Sequence, residues 1–455
     1  MGGPEQNGGT ELKAGALGFW DCVMMAVGGM VGMAIFSLSG VTFSLSGPAS
    51  LLAWVVGGAI LFLYAMNVAE MATKFPRAGG VFVYPAECLG RTAATRDFWA
   101  WLAAWSWINV TVLGTAFGAI FIAQYLSGII PGAAPHVVPL GVLWVALVWL
   151  LNVLGITLMG KTNLILTALL VIICLVYVGY AFGAFNPAML SPFFAGFLGV
   201  KGFYASIPIS MLAYGSVIAI SAAAEEIREP RKTIPKAMAT ALIATVVLYA
   251  LILVSTYGVI PWQQVTEGSF GFYAPLHFAI AIFAPDKPWL MALISVAALL
   301  AITTTMLVMV MDAGRTLLAI GRSGILPKQF ASVNPSTRTP VLSLTVVAIA
   351  SAIVACFPGF TMQIIGTGSL TFGILVAIMV FSVIGSRVYR KDVQGTFVTP
   401  GGYTLQVLTL AVLVFVLSQL GRDALVLSGW WYLIGLVYFG LRYVTKPDLF
   451  KDAKG

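Results

Sequence analysis

The feature that most constrains this chain is a series of apolar runs, each of roughly the length that crosses a lipid bilayer. Hydrophobic residues make up 60% of the 455 residues and charged residues only 9%, which is more apolar surface than a soluble domain of this size can cover. The runs therefore predict an all-α polytopic membrane protein with twelve transmembrane helices. The predicted spans are residues 16–43, 50–73, 98–128, 137–157, 162–184, 203–224, 237–260, 289–313, 340–358, 362–386, 403–421 and 426–444.

The positions of the basic residues support this count. With the N-terminus in the cytoplasm, all but three of the 24 Lys and Arg residues fall in cytoplasmic segments, as the positive-inside rule requires. The three others are Lys201, Lys287 and Arg422. The net charge of +8 is then explained by the anionic inner leaflet of a plasma membrane, without a nucleic-acid partner. We therefore expect two cytoplasmic tails, at 1–15 and 445–455.

Two of the spans contain helix-breaking residues near their middle. The first contains GGMVGMAIF (Gly28 to Phe36), and the sixth contains MLAYGSVIAI (Met211 to Ile220). Glycines at this depth either allow close helix packing or mark a helix that opens around a ligand. Because the two breaks begin two sets of five spans, 16–184 and 203–386, we favour opened helices in an inverted repeat. Two further spans follow at 403–444.

Five segments spaced along the chain carry a family resemblance. They are MVGMAIFSLSG in the first span, EMATKFPRAGGVFVYP after the second, AEEIREPRKTIPKAM after the sixth, AIGRSGILPKQF after the eighth, and IGTGSLTFGILVAIMVFSVIGSRVYRKD around the tenth. Over nearly its whole length the chain resembles the amino acid–polyamine–organocation (APC) superfamily. The resemblance implies a LeuT-type fold with discontinuous helices 1 and 6. It also implies a secondary transporter that works by alternating access.

The resemblance implies a substrate site at the two breaks. Backbone amides at the first break would bind the substrate carboxylate, and carbonyls at both breaks would bind its amine. Tyr214 would shape or gate the pocket, and Ala34 departs from the family pattern, which has glycine there. The implied substrate-binding residues are Met30, Val31, Gly32, Met33 and Ala34 on the first span, and Leu212, Ala213, Tyr214, Gly215 and Ser216 on the sixth.

The acidic residues indicate which substrate the site accepts. Glu70 has Lys74 at i+4 and Asp312 has Arg315 at i+3, spacings that favour ion pairs near the cytoplasmic ends of the helices. No acid or base remains at mid-membrane depth to bind a charged side chain. We therefore expect a neutral, mostly apolar amino acid, with a polyamine or other amine as the alternative. Asn109 in the third span is a candidate selector of the substrate side chain, its alternative role being to bridge helices.

Charges that follow the sixth span predict an inner gate. Glu225 and Glu226 stand close to Arg228 in the sequence, and we expect these residues to form a cluster of salt bridges at the cytoplasmic side.

The coupling ion is left open by the sequence. Thr303 and Thr304, together with carbonyls of Gly29 and Gly32, form a candidate sodium site, since hard cations prefer oxygen ligands. The alternative is that these threonines bond to their own helix. Some relatives use a lysine of the fifth span for proton coupling, but Leu170 occupies that position here. Exchange or uniport is the simplest expectation.

Other classes of protein fit the sequence less well. His136 and His277 are far apart, and the four cysteines have no paired spacing, so we expect no cofactor, no further metal site and no enzymatic activity. The spans also lack the continuous polar lining of a channel.

Overall fold

A computed structural model describes residues 14–77, 79–127, 129–130, 132–266, 269–446 and 448. These residues form seventeen α-helices joined by turns and short 3₁₀ segments. Most of the two predicted tails lies outside the described residues. The helices are α1 (Phe19–Met30), α2 (Ser39–Ser46), α3 (Ser50–Lys74), α4 (Gly80–Cys88), α5 (Ala93–Leu126), α6 (Val137–Val153), α7 (Ile156–Gly183), α8 (Gly199–Leu212), α9 (Ala219–Ala222), α10 (Pro230–Tyr257), α11 (Phe270–Tyr273), α12 (Pro275–Phe283), α13 (Pro288–Arg322), α14 (Val341–Ala355), α15 (Thr361–Tyr389), α16 (Thr404–Leu417) and α17 (Arg422–Thr445).

Apolar helices of membrane length dominate the described residues. Eight helical stretches are long and apolar enough to cross a bilayer, and α6, α14 and α16 are shorter apolar helices. The first of the eight stretches runs from Phe19 to Lys74 and includes α1, α2 and α3. Helices satisfy their backbone hydrogen bonds internally, which a membrane interior requires. The prediction of an all-helical polytopic membrane protein is thereby confirmed.

Helices α5 and α13 lie at the centre of the bundle and pack against each other. Within an apolar 18-residue stretch of each helix, 89% of the residues of α5 and 83% of those of α13 are buried inside the bundle. For α17 the buried share is only 22%. The exposed apolar side chains of α17 therefore face outward, where a bilayer would cover them. Helices α5 and α13 together form one wall of the cavity that lies between the two helix breaks.

The first helix break occurs at the glycines of the first predicted span. Helix α1 ends at Met30, and a π-helical turn over Ala34–Leu38 leads into α2. At the break, the amide of Gly32 donates a 2.7 Å hydrogen bond to the carbonyl of Met30, two residues earlier. A side chain at Gly32 would overlap Thr305 of α13, so only glycine lets the two helices approach this closely.

The second break lies in the sixth predicted span. Helix α8 ends at Leu212, and the chain continues through a turn and a 3₁₀ segment, Gly215–Ile218, to α9. The two breaks face each other, because a β-carbon built on Gly29 would lie 2.7 Å from the β-carbon of Ser216.

Tyr249 of α10 connects the two breaks. Its buried hydroxyl donates to the carbonyl of Met30 and lies 3.4 Å from the carbonyl of Ala213. A carbonyl released from a helix inside an apolar bundle needs a new partner. A hydroxyl on a neighbouring helix supplies that partner and fixes the distance between the breaks.

Candidate functional site

A buried cavity lies between the two breaks and is bounded by α5, α13 and α15. From the breaks themselves it is lined by Gly29, Met30, Met33, Ala34, Leu212, Ala213, Gly215 and Ser216. Among the described residues that line it, none is Asp, Glu, Lys, Arg or His. The polar side chains on its wall are Ser216, Thr305 and the indole of Trp107. The cavity is therefore apolar except for the backbone at the breaks.

The remaining predicted substrate residues lie beside this cavity and are not part of its lining. Gly32 packs on Thr305, and Val31 is fully buried. Tyr214 donates a 3.0 Å hydrogen bond to the carbonyl of Trp54 on α3. Asn109 accepts a 3.0 Å hydrogen bond from Thr371 on α15. These two side chains connect helices around the cavity.

Sequence reasoning missed the walls that α5, α13 and α15 contribute. The missed lining residues include Trp107, Val110, Gly114 and Phe117 on α5, Thr305 and Met309 on α13, and Ile364, Ile365, Gly368 and Phe372 on α15. The α5 residues recur at intervals of three and four, which places them on one helix face. That face contains Gly114 at the middle of the third span, a signal that could have identified it.

Three consecutive threonines of α13 have different partners. Thr303 donates to the carbonyl of Leu299 on its own helix and accepts a 2.8 Å hydrogen bond from the indole of Trp144 on α6, so neither of these bonds is made with α1. Thr304 donates to the carbonyl of Gly28 at 2.9 Å. Thr305, which the sequence did not single out, donates to the carbonyl of Gly29 at 3.1 Å. The hydroxyls of Thr304 and Thr305 thus bind the C-terminal end of α1 directly.

The predicted inner-gate charges pair with α13. Glu226 accepts two hydrogen bonds from Arg315, at 2.7 and 3.1 Å, and both side chains are buried. Glu225 lies 3.4 Å from Arg322. Arg228, expected to join this cluster, donates to the carbonyl of Gly15. For Glu226 the expected pair with Arg228 is thus wrong, because Arg315 of α13 binds both oxygens of its carboxylate. Glu225 is described beside Arg322, two turns further along α13.

A backbone bridge reinforces this end of the bundle. Leu17, just before α1, pairs in parallel with Ile227. The amide of Leu17 donates to the carbonyl of Glu226, and the amide of Arg228 donates to the carbonyl of Leu17, both at 2.9 Å. The start of α1 and the segment after α9 are therefore held together on the side that carries the ion pairs.

The two acids expected to form ion pairs within their own helices differ in outcome. Glu70 pairs with Lys74 at 3.1 Å, as predicted, and also with Arg387 of α15 at 2.6 Å. The predicted pair between Asp312 and Arg315 is wrong, since Arg315 turns to Glu226 and Asp312 accepts from the indole of Trp107 at 2.9 Å.

A membrane bundle with an apolar cavity between two interrupted helices is the architecture of a solute transporter. The chain belongs to the amino acid permease family, whose sequence model matches residues 17–441. The resemblance to the APC superfamily is thus confirmed, and the family consists of transporters and not of enzymes.

Its curated relatives carry different solutes. The chain is 26% identical to a branched-chain amino acid permease of Bacillus subtilis (strain 168), over 96% of this chain and 94% of the relative. It is 25% identical to a methylthioribose transporter of the same organism, over 94% of each. It is 29% identical to cationic amino acid transporter 1 of Arabidopsis thaliana, over 77% of this chain and 59% of the relative.

Proposed function

We propose that this protein transports a neutral, mostly apolar amino acid by alternating access, as an exchanger or an ion-coupled symporter. The observation that carries the proposal is the lining of the cavity, whose described residues include no ionisable side chain. A charged substrate side chain would lose its hydration there without gaining a partner. The part of the cavity that would hold the substrate side chain is instead lined by apolar residues such as Met33, Met309 and Phe372.

The backbone at the breaks supplies the polar groups for a zwitterion. Met33 and Ala34 begin the second half of the broken first span, and the first amides of a helix have no partner in a preceding turn. These amides suit a carboxylate. The last carbonyls of α8, around Leu212 and Ala213, suit an ammonium group. Both charges of an amino acid are thus accommodated without charged side chains.

We further propose the full membrane arrangement. The first apolar stretch divides at Gly47, where φ is +61°, into two crossings. Together with the other seven long stretches and the three shorter helices this makes twelve crossings. Residues 16–184 and 203–386 form the two inverted repeats of a LeuT-type fold, and 403–444 the two added helices. Both termini are cytoplasmic, in the plasma membrane.

An amine or polyamine carrier is the second candidate. Two curated relatives, a cationic amino acid transporter and a methylthioribose transporter, show that the family's relatives are not restricted to branched-chain amino acids. A polyamine, however, needs an acid in the pocket, and no acid is found among the described lining residues. The neutral amino acid is therefore the first choice.

A competition experiment tests the substrate class. We expect liposomes containing the purified protein to take up labelled leucine or alanine when preloaded with the same unlabelled amino acid. An excess of unlabelled leucine or alanine should abolish this uptake, whereas arginine, glutamate and putrescine should leave it nearly unchanged. Competition by arginine, glutamate or putrescine without competition by leucine or alanine would refute the proposed substrate. Protein-free liposomes are the control.

A second experiment tests sodium at Gly29, Gly32, Thr303 and Thr304. Because Thr304 and Thr305 already bind the end of α1, we propose that these hydroxyls hold the break and that transport does not need sodium. Replacing sodium by choline should leave exchange unchanged. Thr305→Val should lower uptake roughly tenfold, the value of one buried hydrogen bond, while Thr303→Val, the matched control, should not. If instead the wild type required sodium for exchange and Thr304→Val did not, the candidate sodium site would be supported and this proposal would be refuted.

A further inference from the structure

Asp312 is a buried acid that the substrate site does not use. It lies on α13, three residues beyond the cavity-lining Met309 and three before Arg315 of the buried ion pair. Its exposure is 0%. The carboxyl group thus stands between the cavity and the ion pair at the predicted cytoplasmic end.

The hydrogen bonds of Asp312 are incomplete. Its Oδ2 accepts a 2.9 Å bond from Trp107, whereas Oδ1 has no partner among the described residues. An ionised carboxylate would leave a buried charge without a cation, which is costly. A protonated carboxyl is neutral, and its second oxygen still accepts the bond from Trp107.

The groups that face Asp312 do not compensate for a charge. Arg315, on the same helix, donates both ends of its guanidinium fork to Glu226. From α3 and α4 the neutral hydroxyl groups of Tyr64 and Tyr84 interact electrostatically with Asp312, and neither carries a charge that could balance a carboxylate. From α5 the neutral indole of Trp107 faces it. The surroundings therefore favour the protonated acid.

Trp107 joins Asp312 to the substrate cavity. Its ring lines the cavity, with its centroid 6.0 Å from that of Phe372, while its N–H donates to Asp312. A substrate that moves this ring would alter the hydrogen bond to the carboxyl group. Occupancy of the cavity and protonation of Asp312 are consequently linked through one side chain.

We propose that Asp312 is the proton-binding site of this transporter, and that it makes the protein a proton–amino acid symporter. A proton from water on the outer side binds Oδ1 when the cavity opens outward. When the inner side opens, Glu226 and Arg315 separate, and Arg315 turns to Asp312 one helix turn away, which stabilises the carboxylate. The O–H bond then breaks, and the proton passes to cytoplasmic water. The inference rests on the proposed amino acid transport.

Proton movement can be measured in liposomes that contain the protein and a trapped pH-sensitive dye, with the membrane voltage clamped by potassium and valinomycin. Adding leucine or alanine outside should acidify the interior. An inward gradient of one pH unit should drive about tenfold accumulation of the amino acid, since one unit corresponds to a factor of ten. Asp312→Asn, which mimics the neutral acid, should retain exchange into preloaded vesicles but lose both effects.

Asp286→Asn, which changes an exposed acid, is the matched control and should behave like the wild type. Exchange without acidification in the wild type, or acidification that persists in Asp312→Asn, would overturn the proton site and leave the proposed transport intact. Absence of any amino acid exchange in the wild type would instead refute the proposed function. If Asp312→Asn does not exchange, Asp312→Glu decides: a displaced pH profile of uptake supports the proposal, and an unchanged profile refutes it.

Discussion

Replacing Gly32 by valine is expected to abolish transport while leaving the bundle folded. A β-carbon at this position would overlap the hydroxyl of Thr305, would lie 2.7 Å from the β-carbon of Thr305, and would lie 3.1 Å from the carbonyl oxygen of Ala301. One of these neighbours is helix backbone and another is a buried β-branched residue, so neither can move aside at little cost. The first break would have to shift away from α13.

The size of the effect follows from the position of the break. Met30, Met33 and Ala34 line the cavity on either side of Gly32, so a displaced break misplaces the backbone groups proposed to hold the substrate. A misplacement of about 1 Å at a binding site can cost on the order of 100-fold in rate, and we expect at least this loss in kcat/KM. Exchange of labelled leucine and equilibrium binding should both fall.

Gly179→Val on α7 is the control for this substitution, because a β-carbon there meets nothing within 4 Å. It should express, remain monodisperse in detergent and transport like the wild type. If Gly32→Val also bound leucine normally, the glycines of the first span would serve helix packing alone, and the proposed site at the breaks would be wrong.

The positions of the helix breaks were predictable because they depend on local sequence. Gly28, Gly29 and Gly32 weaken a helix wherever it packs, and Gly215 does so about two turns after Pro208. The structure accordingly ends α1 at Met30 and α8 at Leu212. The side chains that complete the breaks were not predictable in this way. Tyr249 and Thr305 are ordinary residues in apolar spans, and only the packing of α10 and α13 brings them to the freed carbonyls.

The ion pairs, too, depend on helix packing that local sequence does not reveal. The i+4 spacing of Glu70 and Lys74 correctly predicts a pair, whereas the i+3 spacing of Asp312 and Arg315 does not. Sequence spacing shows that two charges on a helix can meet, but not whether a third charge from another segment binds one of them better. At Arg315 the fork of the guanidinium meets both oxygens of Glu226, which a single bond to Asp312 could not match.

Arg315→Gln is expected to be the most destabilising single substitution at the predicted cytoplasmic end. Glu226 is 0% exposed, and the hydrogen bonds described for its carboxylate oxygens both come from Arg315. Removing one partner of a buried ion pair costs about 3–5 kcal/mol, because it leaves a buried charge uncompensated. Thermal unfolding in detergent should report this loss. The double variant Glu226→Gln/Arg315→Gln carries no buried charge at this pair and should recover much of the stability.

Additive losses in the double variant would show that the two residues act separately and would refute this account of the pair. Glu229→Gln, which breaks the exposed pair with Lys232, should leave the unfolding transition unchanged.

Glu226→Gln alone should destabilise the protein less than Arg315→Gln. The released Arg315 still has an acid within one helix turn, Asp312, whose Oδ1 is unpartnered in the described structure. The hydrogen bonds described for the Glu226 carboxylate come from Arg315 and from no other basic residue, so loss of Arg315 leaves this acid without a described partner.

If Arg315 turns to Asp312 in Glu226→Gln, it should hold that acid in its ionised form and suppress proton-driven accumulation. The double variant Glu226→Gln/Asp312→Asn should then be less stable than Glu226→Gln. Equal losses for Glu226→Gln and Arg315→Gln, with proton-driven accumulation retained in Glu226→Gln, would show that Arg315 does not exchange partners.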